Sequence, residues 1–212
     1  MTALAITAFA SNSLICRAAL GPGLIDPATF TTVRLVSAAA VLAVVVFVRR
    51  GHLPQLSFGD WRAAGALFAY AVFFSFGYVL LTTGTGALIL FGSVQLTMFA
   101  WAFYEGERFT AFAWGGLALA AGGLVWLVLP GLEAPDPLGA LFHTISGAAW
   151  GVFSLLIRGA KHPVESNAAN FLICVPLTLI VSALFWVDLD ATAPGLALAV
   201  LSGGLASGCG YV

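Results

Sequence analysis

PATFTTVRLVSAAAVLAVVVFV, residues 27–48, carries a single charge, Arg34, and runs straight into the pair Arg49–Arg50. A bilayer core takes about 20 mostly apolar residues per helix, so this stretch is long enough to cross one. It does not alternate apolar and polar residues, as the strands of a membrane barrel do. The rest of the chain agrees with it. Of 212 residues, 61% are hydrophobic and 8% are charged, against about 25% charged in an average soluble domain. Eight Lys/Arg and nine Asp/Glu cannot cover a water-facing surface of this size. An ordinary soluble domain, a disordered chain and a nucleic-acid binder, which needs a basic stripe, are therefore excluded.

Charges and Pro/Gly clusters cut the chain into apolar runs at 3–20, 27–48, 61–81, 86–104, 110–129, 138–158 and 166–187, with an eighth beginning near 195. The punctuation is distinctive: "GPGLIDP", "PGLEAPDP" and "DLDATAPG" separate several of the runs. Helices satisfy their own backbone hydrogen bonds in lipid, so the predicted fold is an all-α integral membrane bundle. The first run lacks a basic leader and reads as a span rather than a removed signal peptide. Arg49, Arg50 and Arg62 flank the second loop, Arg108 the fourth, and Arg158 and Lys161 the sixth. The intervening loops hold Asp26, Glu133, Asp136, Asp188 and Asp190 and no Lys or Arg. Basic residues of short loops stay cytoplasmic, which predicts a cell-membrane protein with its amino terminus inside.

Two short matches recur in order. "SLICRA" (Ser13–Ala18) resembles "SLLIRG" (Ser154–Gly159), and "FGYV" (Phe76–Val79) resembles "CGYV" (Cys209–Val212). They predict two copies of a five-helix unit, one over residues 1–130 and a partial one over 138–212. An odd number of spans inverts the second copy relative to the first, the design of many secondary transporters. On this reading the sequence stops within the eighth span, and the natural chain is expected to continue for two further spans.

The stretch "YEGERFTAFAWGGLALAAGGLVWLVLP" (Tyr104–Pro130), with its Gly106–Glu107–Arg108 turn and glycine-rich helix, resembles the drug/metabolite transporter superfamily, in particular the ten-helix proteins built from two EamA repeats. Arg34 early in the second helix and the polar first helix "FASNSLICRAAL" carry the same resemblance, which extends over essentially the whole chain. It implies export or uptake of small metabolites, commonly amino acids or related compounds.

An ionisable group inside a membrane costs at least about 2.5–3.5 kcal/mol on insertion scales, so each needs a reason. Arg34 lies about seven residues into its helix, some 10 Å below its outer end at about 1.5 Å per residue. It reads either as the partner of a substrate carboxylate or as a structural group that snorkels or pairs with Asp26. Arg17, nearer the surface, reads as snorkelling. His143 is a candidate carrier of a coupling proton, or a histidine bonded to a neighbouring helix. The amides Asn12, Gln95 and Asn170 can line a polar cavity or join helices, and Glu165–Ser166–Asn167 reads as a helix cap. Tyr70, Phe74, Tyr78, Trp101 and Trp150 can wall a cavity or face lipid. The candidate substrate-binding set is thus Arg34, Asn12, Tyr78, Gln95, Trp150 and Asn170. Glu107 reads as structural, by pairing with Arg108 or capping the next helix. The stripe Gly115, Gly116, Gly122, Gly123 and the pair Gly204–Gly208 read as sites of close helix packing. Cys16, Cys174 and Cys209 have no metal-ligand spacing and read as packing; neither metal nor cofactor is implied.

With no nucleotide-binding loop, the expected function is a secondary transporter moving a small-molecule substrate through the lipid bilayer by alternating access, in the export direction. A proton is the first candidate for coupling, but every Asp and Glu falls in a loop or at a helix end, so His143 would carry it or transport would be facilitated diffusion. Two other classes compete. An intramembrane serine hydrolase would use Ser207 with His143 as base, although the glycine usual two residues before such a serine is missing. A receptor is conceivable, but not a retinal one, because the single lysine, Lys161, lies in a loop.

Overall fold

A computed structural model describes residues 2–128 and 135–208; at 2–10, 124, 127–128, 188 and 208 the backbone alone is described. Among the described residues eight α-helices follow one another: α1 Thr2–Leu20, α2 Pro27–Arg50, α3 Trp61–Leu80, α4 Thr83–Tyr104, α5 Ala111–Val128, α6 Pro137–Leu156, α7 Pro163–Leu184 and α8 Ala193–Leu201, the last passing into a π-helical segment, Ser202–Gly208. No strand occurs among the described residues; a single bridge pairs Ile25 with Ala191. Among the described residues five helices (α2, α3, α4, α6 and α7) are long and apolar enough to cross a membrane, and α5 and α8 contain shorter apolar stretches. The molecule is an all-α membrane bundle.

The punctuation that divides the sequence is also what starts the helices. Asp26 accepts the Thr29 N–H at 2.8 Å with Pro27 behind it, and Asp136 accepts the Gly139 N–H at 2.8 Å with Pro137 behind it. An acidic cap followed by proline satisfies an otherwise orphaned N–H and presets the first helical φ. Thr192 caps α8 through the Gly195 N–H at 3.3 Å. At the other ends, Gly51 (φ 76°) closes α2 in the left-handed region.

The Gly-Glu-Arg turn has a similar explanation. Gly106 (φ 82°) donates to the Phe103 carbonyl and Glu107 to the Ala102 carbonyl, the paired bonds of a Schellman ending, which favours glycine at the left-handed position. The turn uses Glu107 through its backbone only; among the described residues its side chain neither pairs with Arg108 nor caps α5. Thr110 caps α5, accepting the Ala113 N–H at 3.3 Å.

Helix starts shift from the sequence expectation in two places. α4 begins at Thr83 because Thr82 caps it, accepting the Thr85 N–H at 3.4 Å. α7 begins at Pro163, three residues ahead of the expected start, because proline fits the first helical position. Glu165–Ser166–Asn167 is therefore already helical rather than a cap. Glu165 is buried and ion-paired with Arg50 at 3.2 Å. Glu165 lies at a helix end, as expected of every acidic residue, yet it is a buried carboxylate, which the sequence did not suggest.

The core sits between α2, α3, α6 and α7. The α3–α6 pairing is the most extensive, followed by α4–α6 and α2–α7, while α5 packs on α4. α6 makes its close approach through Gly139, His143, Gly147 and Gly151, spaced by four and therefore on one face. A Cβ at Gly151 would stand 2.9 Å from the Thr97 side chain, and one at Gly147 would meet the Leu90 backbone. The stripe expected to pack tightly does not do so among the described residues. Around Gly115, Gly116, Gly122 and Gly123 nothing lies within 4 Å of an added Cβ. In the last segment the tight glycine is Gly203, against the Arg34 backbone, rather than Gly204. Cys209, Glu133, Pro130 and the "CGYV" half of the second repeat match lie outside the described residues.

Candidate functional site

Arg34 is driven to the centre by its place on α2, whose flanking residues Thr31, Leu35 and Ala38 face the core. Arg34 as a whole is 3% exposed. Its Nη2 donates to the Tyr70 hydroxyl at 3.0 Å, and its carbon lies 5.3 Å from the Tyr70 ring and 4.9 Å from the Phe74 ring. Two aromatic faces and a hydroxyl replace part of the lost hydration, and a desolvated cation–π contact is worth about 2 kcal/mol. The alternative pairing with Asp26 is not what the carboxylate is used for: Asp26 binds the N–H groups of Thr29 and Asp190.

On the other side of the Tyr70–Phe74 wall is a cavity of about 150 Å³, lined by Asn12 and Ser13 of α1, Tyr70 and Phe74 of α3, Phe91 of α4 and Trp150 of α6, among others. Trp150 packs on Tyr70 with centroids 4.6 Å apart. Asn12 Oδ1 accepts the Ser202 hydroxyl at 2.6 Å and stands 3.8 Å from the Cys16 sulfur, so α1 and the π-helical segment are joined by a buried polar knot. Ser146 of α6 donates to the Tyr70 carbonyl at 3.0 Å. The arrangement is a small aromatic chamber with an amide and a hydroxyl at one wall and a cation behind another.

Of the residues expected to bind substrate, Asn12 and Trp150 line the chamber and Arg34 stands behind its wall. Tyr78 is buried beside it, edge-on to Phe74 at 4.7 Å. The other two lie elsewhere. Gln95 faces an apolar groove of about 400 Å³ between α4 and α5. Asn170 spends its side-chain oxygen on the Asp60 N–H at 2.8 Å, tying α7 to the start of α3. Trp101 lines none of the chamber and sits near the far end of α4. Ser13, Leu90, Phe91 and Val94 are the lining residues that sequence reading missed, as is Ser202, which binds Asn12 from outside the lining. Ser13 follows Asn12 directly in a polar patch, a signal that was present; Phe91 has no polar or periodic mark to set it apart.

His143 is fully buried, its Nδ1 3.2 Å from the Gly139 carbonyl and its ring 4.7 Å from Tyr78, edge-on. It fits because Gly77 and Gly86 leave room. A Cβ at Gly86 would stand 2.8 Å from Nε2, and Nε2 has no hydrogen-bond partner among the described residues. Ser207 belongs to the segment packed on α1 and α2, whereas the ring neighbours of His143 come from α3 and α4. No serine–histidine pair forms. Arg17 does not simply snorkel. It reaches across to donate to the Tyr78 carbonyl at 2.7 Å, placing a cation at the carboxyl end of α3, where the helix dipole favours it.

Among the described residues no cluster of three or more His, Cys, Asp or Glu could hold a metal ion. Fold and site together define a helical membrane protein with a polar and aromatic chamber between its helices. The chain is 47% identical over 211 residues to "Uncharacterized protein PA1977" of Pseudomonas aeruginosa, an alignment covering 100% of this chain and 73% of that protein, and it belongs to that protein's family. No family model matches the sequence, and no solved structure matches it.

Proposed function

We propose that this chain is a secondary transporter of the EamA type in the drug/metabolite transporter superfamily, exporting small amphipathic metabolites with an acidic group by alternating access. One observation carries the reading: the chamber lies where residues 1–130 meet residues 138–208. Asn12, Tyr70 and Phe74 come from the first stretch and Trp150 from the second. A site between two inverted copies can be opened to either side by rocking one against the other.

The helix pairings support it. Exchanging α1 with α6, α2 with α7 and α3 with α8 turns the α3–α6 contact into α1–α8, and α3–α7 into α2–α8. All four contacts occur, and α2–α7, which maps onto itself, is among the most extensive. The loops follow the same exchange. Ile25 before α2 pairs with Ala191 before α8 at one end of the bundle, and Phe58 before α3 stacks edge-on to His162 before α7, at 5.5 Å, toward the other. With the basic loops inside, the amino terminus is cytoplasmic and the host membrane is the cell membrane. His143, one aromatic ring from the chamber, is the candidate for proton coupling.

The test is flux through the purified protein in proteoliposomes, using carboxylate-bearing amphipathic metabolites. Arg34→Ala should lower transport at least tenfold, with insertion and helical content unchanged. Full transport by Arg34→Ala would remove the arginine from the mechanism.

A further inference from the structure

At the end of the bundle where α2 leaves the apolar region and α7 enters it, four basic side chains from two distant stretches of chain gather around one cavity. Arg49 and Arg50 close α2, and Lys161 and His162 precede α7. The cavity holds about 110 Å³, room for three or four waters at about 30 Å³ each, which is a phosphate-sized volume. Its floor is apolar, with Val46 buried at the base, while the basic groups at its mouth are exposed. One anionic group, Glu165, shares the wall, and it is buried and engaged by Arg50 at 3.2 Å. Three permanent cations against one paired carboxylate leave a net positive site. The first turn of α7 adds to it, because the residue before it, His162, provides no side-chain cap and the N–H groups of that turn favour an anion.

We propose that this cavity binds the phosphate of an anionic phospholipid, clamping α2 to α7 at the membrane surface. The gradient from apolar floor to basic mouth is that of a lipid lying alongside the bundle, with its phosphate at the rim. α2 and α7 are both of membrane-spanning length, so the cavity lies at the depth of the headgroups. On the orientation given by the basic loops this is the cytoplasmic leaflet, where anionic lipid contributes about 1 kcal/mol per nearby basic residue. The clamp does not depend on the transported substrate, because the chamber has other walls.

Native mass spectrometry of the intact protein, exchanged into mixed phosphatidylglycerol and phosphatidylcholine, gives the test. The wild type should retain phosphatidylglycerol at least fivefold over phosphatidylcholine. The Arg49→Gln/Lys161→Gln double variant, altered at two exposed residues, should lose that preference, while Arg62→Gln keeps it. Raising salt from 50 to 500 mM should weaken retention by the wild type and have little effect on the double variant. Equal retention by wild type and double variant would overturn the proposal. So would displacement of the lipid by millimolar inorganic phosphate, which would make the cavity a site for the free anion.

Discussion

The face of α6 that carries Gly139, His143, Gly147 and Gly151 and the face of α5 that carries Gly115, Gly116, Gly122 and Gly123 are written in the same small-residue idiom. The molecule uses them in opposite ways. On α6 each glycine is pressed against a neighbour: Gly139 against Leu80 and Leu81, Gly147 against Leu90 and Ser93, Gly151 against Thr97. On α5 each looks into open space. Spacing alone therefore does not say whether a glycine stripe is in use. What distinguishes the two is a partner of matching shape. α6 lies between α3 and α4 and carries His143, which needs a slot, while α5 meets α4.

The difference can be broken or sharpened by substitution, and the largest effect belongs to the centre. Arg34→Ala, as above, should cost transport at least tenfold. Tyr70→Phe keeps the ring over the guanidinium and removes the hydroxyl. A hydrogen bond to a charged group contributes about 1.5–3 kcal/mol, so stability in detergent should fall by about that much, and loosening the guanidinium behind the chamber should lower substrate affinity in binding calorimetry. Equal affinity would mean that the Tyr70–Arg34 bond does not shape the chamber.

Next come the glycines. Gly147→Ala should destabilise the protein by about 1–3 kcal/mol, because the added methyl meets backbone that cannot rotate away. Gly122→Ala should be neutral or stabilising by about 0.5–1 kcal/mol, as for alanine over glycine in any uncrowded helix. Thermal unfolding in detergent distinguishes them; a loss of stability in Gly122→Ala would place a partner against α5.

The smallest effects separate the two amides that fall outside the chamber. Asn170→Ala should lower stability by about 1 kcal/mol through the lost Asp60 bond, without changing substrate affinity. Gln95→Ala should alter neither, within about 0.5 kcal/mol. A substrate-specific loss in Gln95→Ala would extend the site into the groove beside α5.

Much of the fold is legible in the residues. The Asp-Pro pairs at 26–27 and 136–137 mark helix starts because they cap them, and the apolar runs between match the helices within a few residues. The side on which each polar group lies is harder to read. Asn12 and Gln95 are both amides in apolar runs, yet one faces the chamber and the other α5, since only the packing of α1 and α4 decides their rotation. Glu165 reads as part of a helix cap in the sequence; the proline start of α7 carries it into the first turn, where it pairs with Arg50. The stripe on α6 also went unread, since its spacing of four does not set it apart from the denser glycines of α5; only the neighbouring helices do.

Access to the chamber from both sides of the membrane tests the account most directly. Ser13→Cys, with Cys16, Cys174 and Cys209 replaced by alanine, places a lone thiol on the chamber wall. Membrane-impermeant thiol reagents would be applied to right-side-out and inside-out vesicles. Alternating access predicts labelling from both faces, slowed in each by transported substrate. Labelling from one face only, whatever the substrate, would contradict it and leave a one-sided receptor or binding pocket.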